Sequence, residues 1–299
     1  MRILLTGATG FIGSNLFLKL KNKGHRVTGL ALKQDKIAGL KIHALDLKSG
    51  KKVQDFFGRH KFDAVIHLAA AVPLKFSGSL EEKKIFDDNF LGTSNLLDAF
   101  SLSSAKLFIY ASSISVIGQP LFKSVDETHP THPSNFYSLS KLFSEMLASQ
   151  YAQATGKIFV GFRITAPYGP GQRLKTVINI FLENALESKD LIVFGQGKRA
   201  QDFIYIDDLT DAFLLAIKSK QSNIFNLGSG QSVSSLELAK TILANSPESQ
   251  SKIIFKGVDN QENYRLRVNI KKAKKILKFK PKYDVEKGIR EYLKYLVRK

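Results

Sequence analysis

MRILLTGATGFIGS, residues 1–14, joins a short apolar run to three evenly spaced glycines. The run Ile3–Leu5 is too short for a helix and too apolar for an exposed strand, so it predicts a strand buried on both faces, as in a parallel sheet. Gly7 can then form a tight turn, Gly10 lets a ligand approach the backbone, and Gly13 lets the following helix pack closely on the strand. The N-terminus of that helix suits a pyrophosphate. A glycine-rich turn without a ligand is the less favoured alternative, because strand, glycines and helix follow in the required order.

Length and composition limit the classes of protein to consider. A chain of 299 residues can form one large elaborated domain or two domains. The absence of cysteine excludes disulfides and thiolate metal sites, and no metal site is expected. No apolar run approaches the ~18 residues of a membrane span, and the N-terminus does not resemble a secretory leader. We therefore expect a cytoplasmic protein without a membrane partner.

The chain is strongly basic, with 45 Lys and Arg against 26 Asp and Glu and a net charge of +19. The densest run is Lys271–Lys282, in which apolar residues alternate with lysines, and an amphipathic helix with a solvated basic face explains it. Nucleic acid is not favoured as a partner, because no nucleic-acid-binding motif accompanies the charge. A phosphate-bearing small molecule fits the charge equally well.

The end of the second predicted strand, His25–Leu30, bears on the choice of cofactor. An acidic residue at this place usually binds a free ribose 2′-hydroxyl, but the chain has Ala31 there, and Lys33 follows. A small residue beside a cation favours NADP over NAD, although Lys33 can equally be a surface lysine. Asp46, at the end of a third predicted strand, can accept a hydrogen bond from adenine or cap the next helix.

A possible reactive pair lies at the start of a predicted helix over residues 138–154. Tyr137 and Lys141 are four residues apart and therefore share one helix face. An ammonium group within ~4–6 Å lowers the pKa of a tyrosine, which can then transfer a proton near neutral pH. Ser113, at the carboxyl end of a predicted buried strand, could bind the same substrate oxygen. His67 is expected to be a packed core histidine.

At this point the chain resembles the extended short-chain dehydrogenase/reductase family, of the NAD-dependent epimerase/dehydratase type that acts on nucleotide sugars. The resemblance covers nearly the whole length. The matching segments are TGATGFIG (6–13), Asp46–Leu47, HLAA (67–70), NFLGTSNLLDA (89–99), Ser112–Ser113 with Val116 and Gly118, YSLSK (137–141), RITAPYGPGQ (163–172), FGQGKRAQDFIYIDDL (194–209), FNLGSGQSVSSLEL (225–238) and NIKKAKKILKFKPKYDVEKGI (269–289).

The resemblance implies a Rossmann-type doubly wound parallel sheet over residues 1–165, with late sheet elements from about 202–230. A smaller, interleaved substrate-binding domain would occupy most of 166–299, and helices near 81–100 and 138–154 would pair in a homodimer. The implied catalytic residues are Ser113, Tyr137 and Lys141. The implied cofactor residues are Gly7, Gly10, Phe11, Ile12, Gly13, Asp46, Leu47, Leu68, Ala69, Ala70, Tyr137, Lys141 and Ile164. Substrate residues would be Ser113, Tyr137, Ala166, Arg199, Gln201 and Arg265. Substrate choice would depend on loops near 71–85, 118–136 and 166–200.

Several positions depart from the family pattern. Ser113-Ile114-Ser115 stands where dehydratases have an acidic pair beside the hydroxyl, which disfavours dehydration. Ala166 replaces an Asn, Gln201 replaces an Arg that commonly meets the substrate diphosphate, and Asn269 replaces an Asp. Arg199 and Arg265 could supply the missing charge, or they could be surface arginines. These changes leave the cofactor half of the pattern intact.

Three functions are therefore compared. The leading one is an NAD(P)-dependent epimerase or oxidoreductase acting at a carbinol carbon of a nucleotide sugar. The alternative is an NADP-linked reductase of a keto sugar or another ketone, which Ala31, Lys33 and Gln201 favour. A non-catalytic dinucleotide-binding protein is least favoured, because it predicts a broken Ser-Tyr-Lys set.

Overall fold

The fold is built on a large, mostly parallel sheet. A computed structural model describes residues 1–73 and 80–298. In chain order the strands are β1 (Arg2–Thr6), β2 (Arg26–Ala31), β3 (Asp35–Ile37), β4 (Leu40–Ala44), β5 (Ala64–His67), β6 (Leu107–Ser113), β7 (Ile158–Ile164), β8 (Ala166–Tyr168), β9 (Leu191–Phe194), β10 (Ala200–Tyr205), β11 (Asn223–Leu227), β12 (Ser232–Ser234) and β13 (Ile253–Lys256). Eight of them form the large sheet in the order β11-β7-β6-β5-β1-β2-β4-β3, with only the β3–β4 pair antiparallel. The predicted doubly wound parallel sheet is confirmed.

Helices cover both faces of this sheet. The helices are α1 (Phe11–Asn22), α2 (Gly50–Arg59), α3 (Leu80–Leu102), α4 (Phe136–Thr155), α5 (Val177–Leu186), α6 (Ile206–Ala216), α7 (Ser235–Ala244), α8 (Lys271–Ile276) and α9 (Val285–Val297), with a short 3-10 helix at Ile114–Ile117. One core, with Leu16 of α1, Phe213 of α6 and Ala273 of α8, packs against one face of the sheet. A second core, with Val53 of α2 and Leu96 of α3, packs against the other. The strands are buried from both sides, as their apolar sequences predict.

A third core lies outside the large sheet. It is formed by α5, α7 and α9 around β9 and β10, with Phe181, Leu238 and Ile289 fully buried or nearly so. A three-stranded sheet, β12-β10-β8, and the parallel pair β13-β9 belong to this part of the molecule. One residue, Thr165, separates β7 of the large sheet from β8 of the small one. This short connection brings the two sheets together near the carboxyl end of β7.

Some predicted boundaries were wrong for identifiable reasons. The third strand, predicted over residues 42–47, spans Leu40–Ala44 and forms a hairpin with β3, which was not predicted. The basic segment is not one helix, because α8 ends at Ile276 and the backbone of Lys278 adopts a positive φ of 60°. Pro281 then prevents the helix from resuming. Within the predicted substrate loop 71–85, residues 74–79 lie outside the described part of the chain.

Candidate functional site

The glycine turn joins β1 to α1 with the geometry that its sequence predicts. Gly7 has a φ of +68°, which disfavours other residues. A Cβ on Gly13 would lie 2.0 Å from the carbonyl oxygen of Gly7, so α1 could not pack as closely with any side chain there. Gly10 is exposed, and a Cβ there would meet only the Gly7 oxygen, at 3.2 Å. Packing therefore accounts for Gly7 and Gly13, whereas the missing side chain of Gly10 leaves room for a ligand.

A cleft of about 430 Å³ opens beside this turn, at the carboxyl ends of β1, β2 and β5. No side-chain cap and no acidic residue occupies the first turn of α1, so its N–H groups and positive end are available to an anion. The predicted cofactor residues that line the cleft are Gly7, Gly10, Asp46, Leu47, Leu68, Ala69 and Ala70. Phe11 and Ile12 begin α1 and pack partly against the third core, while Gly13 is buried.

The cation at the cleft is not the predicted one. Lys33 lies in the connection between β2 and β3, where it is exposed and is not among the residues that line the cleft. Lys48 does line it, and its Nζ donates to Asp88 Oδ1 of α3 at 2.9 Å. Ala31 lines the cleft as predicted. The lining of the cleft therefore gives no support for a 2′-phosphate bound by Lys33. The cation that lines the cleft is Lys48, which is paired with Asp88.

His67, at the end of β5, is held neutral inside the protein. Its Nδ1 lies 2.6 Å from Thr6 Oγ1 and its Nε2 lies 2.9 Å from Thr93 Oγ1. The Thr93 hydroxyl donates to the carbonyl oxygen of Asn89, so it accepts from Nε2–H, and Thr6 donates to Nδ1. Burial lowers the pKa of His67 to about 3. The expectation of a packed core histidine is thus supported by its geometry.

Asn89 of α3 fixes the backbone that follows β5. Its Oδ1 accepts from the Ala71 N–H at 2.7 Å, and its Nδ2 donates to the Ala71 carbonyl at 3.0 Å and to Ser140 Oγ at 3.3 Å. One buried side chain therefore ties the cleft wall to both α3 and α4.

Ser113, Tyr137 and Lys141 come together at the carboxyl end of β6. Tyr137 and Lys141 lie in the first turns of α4, which Asn135 caps by accepting the Ser138 N–H at 2.8 Å. Tyr137 is hydrogen-bonded to Ser113. Ser113 Oγ also accepts from Ser115 Oγ at 2.9 Å. Lys141 is 3% exposed, and its Nζ donates to the Ala111 carbonyl oxygen at 2.8 Å.

The proton affinities differ from the sequence expectation. Burial raises the pKa of Tyr137 to about 12, and the hydrogen bond from Ser113 opposes that rise. Burial lowers the pKa of Lys141 to about 7. The expected lowering of the tyrosine pKa by the lysine is therefore wrong for this structure. Lys141 Nζ lies 5.8 Å from the centroid of the Tyr137 ring and is engaged by Ala111, so desolvation dominates at the phenol.

A second cavity, of about 450 Å³, lies in the smaller part of the molecule between α5, β9 and β10. Arg199 and Gln201 line it, together with apolar side chains that include Phe194. Arg199 stacks over the Tyr264 ring, with its guanidinium carbon 5.9 Å from the ring centroid. Arg265 does not line this cavity, because its Nη1 donates to the carbonyl oxygens of Glu262 and Tyr264 at 2.6 and 3.1 Å.

Paired strands connect the carboxyl end of β6 to the strand that lines the second cavity. Ser113 pairs with Ile164 in the large sheet, and Ala166 pairs with Phe203 of β10, two residues from Gln201. Ile164 is buried, whereas Ala166 is half-buried. The smallness of Ala166 leaves space where the family pattern has an amide.

Asp202 holds the backbone beside Gln201. Its buried carboxylate accepts from Ser229 N and Oγ at 2.7 and 2.9 Å and from Gly230 N at 2.9 Å. Burial raises the pKa of Asp202 to about 7, although these hydrogen bonds act to lower it. This carboxylate was not singled out from the sequence, although its place inside the QDFIYIDDL segment was a usable signal.

Other residues of the site were also missed. Lys48, Asp88 and Asn89 belong to this group, as does Thr93. Asn89 and Thr93 lie in a segment that matched the family and recur at helical spacing, which could have marked them as facing the cleft. Nothing in the sequence predicted the Lys48–Asp88 pair, because 40 residues separate its members. Within residues 1–73 and 80–298, no group of three or more side chains could hold a metal ion. No helix of that part is long and apolar enough to cross a bilayer.

Comparison with known proteins identifies relatives along the whole chain. A family model described as the NAD dependent epimerase/dehydratase family matches residues 3–228. A UDP-glucuronate 4-epimerase of Thermodesulfobacterium geofontis is 28% identical over 96% of this chain and 93% of its own length. A dTDP-D-glucose 4,6-dehydratase of Bos taurus is 29% identical over 98% of this chain and 88% of its own.

Solved structures agree with these relatives. A UDP-glucose 4-epimerase of Thermotoga maritima, solved with UDP-glucose, superposes with a TM-score of 0.92 at 26% identity, covering 100% of this chain and 99% of that one. A UDP-glucose 4-epimerase of Thermus thermophilus, solved with NAD, gives a TM-score of 0.88 at 26% identity, covering 99% of both chains.

Proposed function

Because this chain belongs to the NAD-dependent epimerase/dehydratase family, we propose that it epimerises a nucleotide sugar at a carbinol carbon, with Ser113, Tyr137 and Lys141 as its catalytic residues. The observation that carries the proposal is the meeting of these three side chains at the carboxyl end of β6. The epimerase relatives support a sugar substrate, and their names point to carbon 4.

Tyr137 is the acid–base group of the proposal. Its phenolate would take the proton of the sugar hydroxyl, and the phenol so formed would later return that proton, while Ser113 donates a hydrogen bond to the same sugar oxygen. Lys141, four residues further along α4, would in its charged form offset part of the rise in phenol proton affinity that burial causes. Its ammonium can also bind ribose hydroxyls of a dinucleotide.

NAD is the proposed cofactor, and when bound it would accept a hydride from the sugar carbon and return it to the other face. Three features of the chain fit this molecule. Gly10 gives open backbone at the uncapped N-terminus of α1. Leu68–Ala70 provide a flat wall, and Asp46 lies at the far side of the cleft, where it can accept from adenine. NADP is not favoured, because Lys33 is not among the residues that line the cleft.

The nucleotide part of the substrate is proposed to bind in the second cavity. Its lining offers apolar surface for a base and one cation, Arg199, for the diphosphate. Gln201 would supply a neutral hydrogen bond where the family pattern has an arginine. Arg265 is left out of this assignment, because backbone carbonyls hold it.

Epimerisation is preferred to the other reactions for two reasons. Dehydration needs an acid–base pair beside the hydroxyl, and this chain has Ile114 and Ser115 there. The ketone reductase is the weaker alternative. It rested on Ala31, Lys33 and Gln201, and Lys33 is not among the residues that line the cleft.

The proposal includes an assembly. Phe86 and Phe90 of α3 pack on Phe143 of α4, with ring centroids 5.8 and 6.3 Å from Phe143. Next to them Leu91 and Met146 are 46% and 57% exposed. This apolar face would pair with its copy in a homodimer. The proposal also retains a cofactor domain over residues 1–165 and a substrate domain over most of 166–299.

The test begins with the nucleotide released when the purified protein is denatured. We expect NAD, or tight binding of added NAD.

The protein is then given UDP-glucose, UDP-glucuronate or dTDP-glucose deuterated at the reacting carbon. An epimerase returns the label to the same carbon of the epimer without consuming external reductant. The variant Y137F should bind NAD normally and lose turnover by about 10²–10⁴-fold. Full activity of Y137F would rule out the assigned chemistry.

A further inference from the structure

One helical layer of the molecule carries a surface of unpaired lysines. Residues 11–23 contain three lysines and no acidic residue, and residues 271–282 contain seven lysines and no acidic residue. These segments and α6 pack through one shared core on the same face of the large sheet. Their outward side chains therefore add their charges on one side of the protein.

The acidic residues of the layer are three on α6, Asp207, Asp208 and Asp211, against ten lysines in the two segments. Asp211 of α6 binds both Lys19, at 2.6 Å, and Lys282, at 2.8 Å. The other exposed lysines of the layer have no ion-pair partner within 4.0 Å in the part of the chain that the structure describes. We call these nine the basic face: Lys21, Lys23, Lys218, Lys220, Lys271, Lys274, Lys275, Lys278 and Lys280.

The opposite layer does not share this excess. The sequence of α3 contains five acidic residues against two lysines. The basic face is thus a local asymmetry rather than the general consequence of a basic composition. Such an asymmetry creates a field that attracts anions to one side of the molecule.

The chemistry of the basic face selects among anionic partners. It contains no arginine, so it offers point charges rather than the planar forks that pair with individual phosphates. Ile276, 44% exposed, stands between Lys275 and Lys278, and Leu18 of α1 is 38% exposed. The exposed large aromatic side chains of the described residues all lie elsewhere, so the face has no stacking platform for bases.

We propose that the basic face docks this protein on a bilayer containing anionic phospholipid. Lysine clusters on an amphipathic surface bind such bilayers, and isolated apolar tips add shallow contact with the interface. The orientation is compatible with turnover. The cleft lies at the N-terminus of α1, whereas Lys21 and Lys23 lie at its other end, and Lys218 follows the end of α6. A docked molecule would keep its cleft open to solvent.

Co-sedimentation with vesicles tests the proposal. Vesicles of phosphatidylcholine alone are compared with vesicles of phosphatidylcholine and phosphatidylglycerol, in rising sodium chloride. We expect binding only to the anionic vesicles and loss of binding as salt rises. The variant K271Q/K274Q/K275Q/K278Q should bind at least about tenfold more weakly. The control K51Q/K52Q/K61Q/K84Q removes the same charge from exposed lysines on or beside α2 and α3.

The outcomes are distinct. Retained binding by the control together with loss by the first variant supports the basic face. Equal losses in both variants, or no binding of the wild type to anionic vesicles, would overturn it. So would stronger binding to an RNA or DNA oligonucleotide than to anionic vesicles at the same salt. Should the first variant fold poorly, acetylation of the wild type provides a second readout, in which vesicles should protect the basic-face lysines and leave Lys51 and Lys52 reactive.

Discussion

Lys141 donates from its Nζ to the carbonyl oxygen of Ala111, 2.8 Å away, on the strand that ends at Ser113. This bond fixes a buried amine between β6 and α4. It places the amine 4.9 Å from the centroid of the Tyr110 ring and 5.8 Å from that of Tyr137. The lysine therefore joins the strand that ends at Ser113 to the helix that carries Tyr137.

The first prediction concerns the dependence of activity on pH. The pKa of Lys141 is lowered to about 7 and that of Tyr137 is raised to about 12, both by burial. The first proton leaves the pair near pH 7, and the resulting state includes the phenolate–ammonium form that can accept the sugar proton. Turnover should therefore rise with pH through about 7 and then level off.

The variant K141M tests this coupling. Without the amine, the acid–base behaviour of the site depends on the high pKa of the Tyr137 phenol alone. The rise of turnover with pH should therefore move several pH units upward. Activity near pH 7 should fall by about 10²–10⁴-fold. Rates measured between about pH 5.5 and 10, a range that includes the lowered pKa of Lys141, would show the shift. An unchanged limb near pH 7 in K141M would assign that titration to another group.

The second prediction separates two glycines of the turn. The variant G13A places a Cβ 2.0 Å from the Gly7 carbonyl oxygen, so α1 must move from β1, and the free energy of unfolding should fall by at least about 2 kcal/mol. The variant G10A has its nearest contact at 3.2 Å and an ordinary extended backbone, so it should fold. It should instead bind NAD at least about tenfold more weakly. Denaturant unfolding measures the stability of both variants, and NAD titration measures their affinity for the cofactor. Unimpaired NAD binding by G10A would contradict the assignment of NAD to this turn.

The third prediction concerns a buried ion pair between β7 and α4, the helix that carries Tyr137 and Lys141. Arg163 of β7 donates to Glu145 of α4 at 2.7 Å, with side chains 7% and 2% exposed. The variant E145A leaves a buried cation without its partner, so it should lose about 3–5 kcal/mol of stability. The exposed pair Arg290–Glu286, at 2.8 Å, is the control. The variant E286A should leave the melting temperature almost unchanged. Similar melting temperatures for the two variants would contradict the assigned role of the buried pair.

The fourth prediction concerns Asp202, whose carboxylate holds the turn at Ser229 and Gly230. The variant D202N keeps the shape but turns an amide N–H₂ toward backbone donors, so stability should fall by about 1–3 kcal/mol. Because Gln201 is its neighbour, the KM for the nucleotide sugar should rise more than kcat falls. Thermal unfolding and steady-state kinetics provide the two readouts. A variant with wild-type stability would show that solvent replaces these hydrogen bonds.

Residues close together in the sequence were enough to predict the glycine turn, the parallel sheet and the pairing of Tyr137 with Lys141. Gly7 and Gly13 could be assigned because a positive φ and a backbone contact each demand glycine. Tyr137 and Lys141 could be paired because helical spacing alone puts them on one face. Helical spacing could also have placed Asn89 at the cleft. Its role was missed because its hydrogen-bond partner Ala71 lies in a segment of irregular backbone.

What the sequence by itself determined was therefore every feature set by neighbours along the chain: the buried parallel strands, the glycine turn and the i, i+4 pair. Only the tertiary structure decided that Lys48, rather than Lys33, lies at the cleft, that Ala111 binds Lys141, and that burial raises the tyrosine pKa. The physical reason is that desolvation and long-range hydrogen bonds depend on which distant segments pack together, and no local periodicity encodes that packing.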